Sequence, residues 1–508
     1  MNAVSSASTA STGVEVERDM SRQQCLMVDQ CFEEGQYESG IDALDQLRTN
    51  QVRPSPAHIR QLIYIALCRA PASSQAAQGK GKGKAPGETP FGSPTKAQRK
   101  ETKTSFRPSA KASEAARRLL SSYAMTNLPE GLIRAIPCYK LTESESTNLP
   151  RPIDLSVKDG KTEEDSVIAQ KSVELLHCGN CWNLLKPGLV SGGSASSWSL
   201  QASGKVEEDA YLEEDPDESQ SVVGDTAWPL LTWLITLFEK DESLVKDESQ
   251  GRYSALLFSQ IKSSDGSMTR SNAEAPLQVV IACYEQSDSR RHYLGQRLMR
   301  LLINLTSCTM FSALALLASL SNHLTMLSTT TLSKFLSDLP TTSRGTAFKA
   351  AVCDKTLGHR LGAVQQAQAR KVRTAQPKAT DGTPGSPSKA AARSALQKSY
   401  TFPVPSSAKI MEILSSFQKS TKTSKDDFVV LFHLVVAAGD LASEQAAQSD
   451  GDRVWAPLLL DGRLEKAIVE VFADKGRELV KKDVKMEIDK MGTILKMKCD
   501  VWKASCTR

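Results

Sequence analysis

The sequence predicts an all-α protein, and three observations predict it. Apolar residues recur at three- and four-residue steps through most of the chain, the spacing that draws one face of a helix. Runs of alternating or β-branched residues that would read as strands are scarce. Stretches rich in Gly, Pro, Ser and Lys, where apolar periodicity is lost, separate the helical blocks. The 508 residues are 40% hydrophobic, 24% charged and 6% aromatic, enough for a sizeable core in several domains and unlike a collagen or a small disulfide scaffold.

Residues 1–18 are rich in Ser, Thr and Ala and predict a disordered start. Residues 19–70 form a helical block with segments at Met20–Glu34, Glu38–Leu47 and Pro56–Cys68. Leu26, Val28, Cys31 and Phe32, then Ile41, Leu44 and Leu47, mark its inner faces. Gly35 stands where the first helix stops, Pro54 and Pro56 frame the third, and Ser55 is placed to cap it. Residues 71–110 predict a basic disordered linker: Lys80 through Arg118 holds eleven Lys and Arg against three Glu. Helical patterning returns in residues 111–200, at Ala112–Tyr123, Glu130–Ala135 and Ser166–Leu185. An acidic loop then occupies residues 201–224, with eight carboxylates and no basic residue between Glu207 and Glu218.

Residues 225–361 predict the main helical body, with segments at Ala227–Glu239, Gly251–Ile261, Ala275–Glu285, His292–Leu305, Phe311–Met326 and Thr331–Leu339. A second basic disordered linker covers residues 362–404, where Arg370 to Lys398 holds seven basic residues and one Asp. Residues 405–508 read as C-terminal helices at Ala408–Gln418, Asp426–Ala438, Arg463–Ala473 and Gly476–Ala504. In the last, Val484, Ile488, Met491, Leu495 and Trp502 draw a single apolar stripe on a lysine-rich helix. The face carrying Ile488, Met491, Leu495 and Trp502 is the sequence's candidate for insertion into a partner's groove.

Two resemblances accompany this reading. The segment from Cys31 to Leu67 resembles one helix-turn-helix unit of the tetratricopeptide or pentatricopeptide proteins, through Gly35 and Tyr37 at the turn, the small Gly40 at the close contact and the proline after the second helix. Taken over residues 24–68 it covers about 45 residues; there is no second copy at that period, and the first-helix tryptophan of the tetratricopeptide pattern is absent. The paired helices at Leu298–Thr306 and Ala313–Leu327 look like those of armadillo or HEAT-type repeats, similar in pattern rather than in a specific motif. Both imply a helical-repeat or α-solenoid body in which each hairpin is buried by its neighbours.

The first residues lack the basic and apolar regions of a secretory signal. The eleven scattered cysteines read as reduced thiols. Leu301–Leu320 is a 20-residue run without charge, the length of a bilayer span. Asn304, Thr306, Ser307 and Thr309 lie in or beside its centre, so the reading here is a turn between two packed helices. An anchored membrane-trafficking or organelle protein is the alternative this run supports. An RNA-binding helical-repeat protein is the one that residues 24–68 support.

The sharpest motif occurs twice. Gly92-Ser93-Pro94-Thr95-Lys96 and Gly385-Ser386-Pro387-Ser388-Lys389 share the form G-S-P-x-K, each just after a Thr-Pro at Thr89 and Thr383. S-P-x-K looks like the preferred substrate of cyclin-dependent kinases. Proline keeps the acceptor extended, and each phosphate adds about −1.5 to −2 charges to a strongly basic segment. Lys96, Arg99, Lys100, Lys371, Arg373 and Lys389 are the candidate contacts to an anionic partner, by phosphate neutralisation without base reading. The same clusters suit nuclear import.

His177-Cys178-Gly179-Asn180-Cys181-Trp182 contains a C-x-x-C but no second ligand pair, and its flanks place both thiols inside an apolar helix. Ser74, Ser219, Ser249 and Ser259 each precede Gln, the minimal target of DNA-damage kinases. No P-loop, dinucleotide fingerprint or nucleophile elbow occurs. The sequence therefore predicts a non-enzymatic scaffold or adaptor without cofactor or metal. It is expected to act in the nucleus, with the cytoplasm as a further location, among protein subunits of an assembly in replication, segregation or repair. A cyclin-dependent kinase is its expected modifier, the basic linkers its expected contact to DNA, and no membrane is expected.

Overall fold

A computed structural model describes residues 17–69, 107–137, 166–190, 221–245, 251–263, 271–369, 402–420, 423–446, 454–474 and 482–506. These residues are mostly helical, with strand confined to two short two-stranded pairings. The chain divides into two compact units, Met1–Asp241 and Glu242–Arg508.

In the first unit, α1 (Arg22–Glu33) and α2 (Tyr37–Leu47) form the hairpin that the sequence predicts. Ser21 and Gln24 cap α1 reciprocally, each side chain holding the other's backbone N–H. Gly35 makes the turn with a φ of 74°, a conformation glycine adopts without steric cost. Gly40 lets the two helices close, since a Cβ there would lie 2.5 Å from the Phe32 ring. The strands β1 (Arg18–Asp19) and β2 (Val52–Arg53) pair in parallel, Arg18 opposite Val52.

The centre of this unit is α3 (Pro56–Leu67), capped by Ser55 with Pro56 at its first turn. Nine of its twelve residues are buried, so neighbours must cover it on every side. Around it pack α4 (Ala110–Thr126), α5 (Pro129–Ile133) and α6 (Val167–Glu174). Arg117 Nε donates to Ala66 O at 3.0 Å, Ser113 Oγ to Cys68 O at 3.4 Å, and Tyr123 OH to Leu44 O at 3.2 Å.

The next helix, α7 (Trp228–Leu244), runs across the division between the units. The sequence groups it with the body that follows; its residues up to Asp241 belong to the first unit. Lys240 Nζ donates to the carbonyls of Ala124, Met125 and Asn127 at 2.7 to 3.0 Å, a cation on the unsatisfied C-terminal end of α4. Phe238 meets the Trp182 ring at 6.2 Å.

The second unit opens with α8 (Ala255–Ser259) and the antiparallel pair β3 (Lys262–Ser263) and β4 (Ser271–Asn272). Then come α9 (Glu274–Glu285), α10 (Ser289–Leu305), α11 (Ala313–Met326) and α12 (Thr329–Asp338). The uncharged run Leu301–Leu320 is split as expected, with α10 ending at Leu305 and Ser312 capping α11 through Ala315 N. No described helix is long and apolar enough to cross a membrane.

The sequence missed α13 (Ser343–Ala369), the longest helix among the described residues, because its apolar positions follow no single stripe. Phe348, Ala350, Ala351, Val352, Cys353, Thr356 and Leu357 are all buried, many of them small, so the pattern of a half-exposed helix is lost. It packs against α10, α11 and α15 (Lys425–Ala446). Thr356 Oγ1 donates to Ser321 Oγ at 3.3 Å, and Arg360 reaches Asp427 at 3.2 Å and Asp426 at 3.4 Å. Phe402 returns the chain onto Phe348, edge to face at 5.2 Å. The remaining helices are α14 (Ser407–Lys419), α16 (Trp455–Leu460), α17 (Arg463–Val469), which continues as a wider turn over Glu470–Asp474, and α18 (Lys482–Cys506).

Two glycines of α13 test this packing in opposite directions. A Cβ at Gly345 would sit 2.4 Å from the Pro340 carbonyl oxygen, whereas one at Gly358 meets nothing within 4 Å. Gly345→Ala is expected to lower stability by about 1–3 kcal/mol through overpacking. Gly358→Ala should raise it by about 0.5–1 kcal/mol through lower backbone entropy in a helix interior. Urea unfolding of the two variants beside the parent chain reads both signs.

Candidate functional site on the C-terminal helix

Of the residues that the sequence marks for function, Thr89, Ser93, Lys96, Arg99, Lys100, Lys371, Arg373, Thr383, Ser386 and Lys389 lie outside the described residues. So do Ser74, Ser219 and Ser249. Ser259 is described, and the Gln260 that a kinase would read beside it is fully buried. That leaves the C-terminal helix as the one place where structure meets a predicted site.

Its stripe is already occupied. Ile488, Leu495 and Trp502 are buried at 0 to 2% exposure and Met491 is half-buried, all against this chain's own helices. The face expected to fill a partner's groove instead fills the one formed by α15, α16 and α17. The stripe is the core contact of α18, because an apolar face of this width is covered at once when neighbouring helices offer a matching surface.

The polar contacts fix the register. Lys425, at the start of α15, pairs with Glu487 early in α18. Asp440, late in α15, accepts from Trp502 Nε1 at 2.9 Å and from Lys498 Nζ at 3.0 and 3.2 Å. The two helices therefore run in the same direction. Gly439 lies directly under the indole, where a Cβ would stand 2.3 Å from Trp502 Cζ2, and Trp455 meets the ring at 6.0 Å. On the other side, Glu465 of α17 takes Lys503 at 2.7 Å and Lys496 at 3.8 Å. Gly492 permits the approach of Phe472, which continues an edge-to-face series through Phe428 to Phe417.

Beneath this contact, His433 of α15 is buried. Burial, and then the charge of Lys349, hold its imidazole down to about 3. Burial likewise pushes the Lys349 ammonium down from its ordinary value, and the Cys499 thiol of α18 up to about 11. In each of the three, burial favours the uncharged form.

The C-x-x-C segment differs from its expected form. Cys178 ends one 3-10 turn (Leu175–Cys178), Gly179 takes a φ of 77°, and Cys181 opens another (Cys181–Leu185) with Asn180 as its cap. The pair thus flanks a tight turn rather than lying within one helix. Cys181 is fully buried, and burial pushes the Cys178 thiol up to about 11, far from the depressed values of nucleophilic cysteines. Among the described residues, no cluster of three His, Cys, Asp or Glu is placed to hold a metal.

Sequence reasoning passed over Gly439, Asp440 and Lys498. The one signal was an aspartate beside a glycine deep in an apolar helix, a pairing that calls for a close neighbour and a donor. No protein-family model, curated protein or solved structure matches this chain.

Two measurements follow from this geometry. Trp502→Ala should destabilise the second unit by about 3–5 kcal/mol, the cost of deleting a buried indole, seen as a lowered thermal melt of the isolated chain. For His433, the unfolded imidazole binds a proton below its ordinary value near 6.5, while the folded one stays neutral until about 3. Stability is therefore complete above pH 6.5 and is lost as pH falls towards 3. The loss amounts to about 2 kcal/mol by pH 5, and His433→Gln should flatten that slope in unfolding titrations.

Proposed function

We propose that this chain is a non-enzymatic scaffold or adaptor subunit of a nuclear assembly in chromosome biology, built as a helical-repeat or α-solenoid body. On this reading, cyclin-dependent phosphorylation of its two basic segments regulates it. The observation that carries the proposal is the matched G-S-P-x-K at Ser93 and Ser386, each set in a basic segment between helices. The flanking helices hold each other independently of those segments. The bonds from Arg117 and Ser113 to Ala66 and Cys68 lock the elements on either side of residues 70–106. The contact of Phe402 with Phe348 anchors the chain after residues 370–401. A change of charge between these anchors can alter docking to an anionic partner and leave the helical units intact.

Electrostatics sets the size of the effect. Local charges of +5 over residues 70–106 and +6 over residues 370–401 favour phosphate-rich partners through counterion release. Phosphates at Ser93 and Thr89, or at Ser386 and Thr383, would remove half or more of that charge at each site. Lys96, Arg99, Lys100, Lys371, Arg373 and Lys389 are the contacts this model assigns to the partner.

The test is affinity purification of the tagged chain from cycling cells, with mass spectrometry of partners and phosphosites. The expected result is chromosomal proteins together with phosphate on Ser93 or Ser386. Recovery of organelle-membrane partners with unmodified basic segments would overturn the proposal. In parallel, Ser93→Asp with Ser386→Asp should weaken binding to a DNA duplex at low salt while the thermal melt stays that of the parent.

A further inference from the structure

The solvent side of α18 carries a pattern that its core stripe does not explain. Taking 100° per residue, the buried residues Ile488, Leu495, Cys499 and Trp502 lie along one side of the helix. On the opposite side stand three large apolar residues that stay in solvent, Met486 at 67% exposure, Met497 at 57% and Val501 at 61%, with the exposed Asp483 and Lys490 in the same lane. Between these two lanes, within about 60° of each other around the axis, lie Lys485, Asp489, Lys496 and Asp500. Their signs alternate, and their spacing of four, seven and four residues is symmetric about the level of Gly492 and Thr493. Within the helix, neither Lys485 with Asp489 nor Lys496 with Asp500 is closed to an ion pair among the described contacts. The contacts α18 does make are Glu487 with Lys425, Lys498 with Asp440, and Lys503 with Glu465, which Lys496 approaches only at 3.8 Å.

A charge row of this form is complementary to itself when reversed. When two such helices lie antiparallel about a two-fold axis, like flanks face each other and each contact occurs twice. With the axis at the level of Gly492 and Thr493, Lys485 of one copy stands opposite Asp500 of the other, and Asp489 opposite Lys496. The same register brings Met486 of one copy between Met497 and Val501 of the other, sets Thr493, a small side chain, at the crossing, and leaves the two exposed Lys490 offset by five residues, about 7.5 Å along the axis. In a parallel pairing about a two-fold axis the row of one copy faces the opposite flank of the other, so these four residues do not meet their counterparts.

We infer that the exposed face of α18 is a self-association surface, and that its occupant is the same face of a second copy of this chain, packed antiparallel. A single helix pair buries less than the roughly 1,200 Å² of a standard stable interface, so the dimer is weak and reversible. Because its flank is ionic and solvent-exposed, it also weakens with added salt. Self-association adds a second valency to whatever the rest of the chain binds, which raises avidity without new contacts to that partner. The inference does not depend on the proposed nuclear role.

The test is sedimentation velocity of the full chain over a concentration series at low and high salt, with two charge variants. In the first, Asp489→Lys and Asp500→Lys make the row wholly positive. In the second, Lys485→Asp and Lys496→Asp make it wholly negative. The parent should shift from monomer to dimer with concentration, each variant alone should dimerise at least about tenfold more weakly, and an equimolar mixture of the two should recover a dimer. The melts of both variants report whether the helix remains docked; because Lys496 also approaches Glu465 of α17 at 3.8 Å, a negative variant with a lowered melt is replaced by Lys485→Asp alone. A parent that stays monomeric throughout, or variants that dimerise like the parent, would overturn the inference. So would a mixture of folded variants that forms no dimer.

Discussion

Each unit of this protein depends on a helix that cannot face water on any side. In the first unit it is α3, and in the second it is the stretch of α13 from Phe348 to Leu357; the constraint is the same for both. A helix buried all round must find several apolar neighbours at once, and its own polar groups must find partners inside. That demand recruits elements distant in sequence. The carbonyls at the end of α3 are closed by Arg117 and Ser113 of α4. Thr356 of α13 bonds Ser321 of α11, while Arg360 reaches the paired aspartates at the start of α15.

The same rule explains how α18 is held. Its apolar stripe supplies the burial, but an aspartate on α15 sets its position along the groove. Asp440 satisfies the Trp502 indole N–H and draws in Lys498, and Gly439 removes the one side chain that would keep the ring away. A tryptophan this deeply buried needs a partner for its N–H as well as space for its ring. Hydrophobic cover, a hydrogen-bond acceptor and a missing Cβ thus act together on one residue. The opposite face of the same helix keeps its apolar and charged residues in solvent, so the two sides of α18 do different work.

The division of labour between body and basic segments follows from chemistry. The helical units are closed by buried contacts, and their perturbed groups, such as His433, Lys349 and the cysteines, are perturbed by burial. On the proposed function, the charge that a kinase would change lies instead in the basic segments bearing Ser93 and Ser386.

The amino-acid sequence by itself determined the fold class, the α1–α2 hairpin with Gly35 and Gly40, the turn that divides Leu301–Leu320, and the presence of an apolar stripe on α18. Those features are local: a helix with one wet face writes its period into the sequence, and a tight turn or close approach demands glycine. Only the tertiary structure decided that α13 exists as the axis of its unit, that α7 leans on α4 through Lys240, and that the α18 stripe is core. A helix buried on every side has no wet face to give it a period, and small residues such as Ala350, Ala351 and Cys353 resemble a linker as readily as a core. An apolar stripe looks alike whether its cover comes from this chain or from another. What settles it is the nearest complementary surface, here the one carrying Gly439 and Asp440, about 60 residues away in sequence.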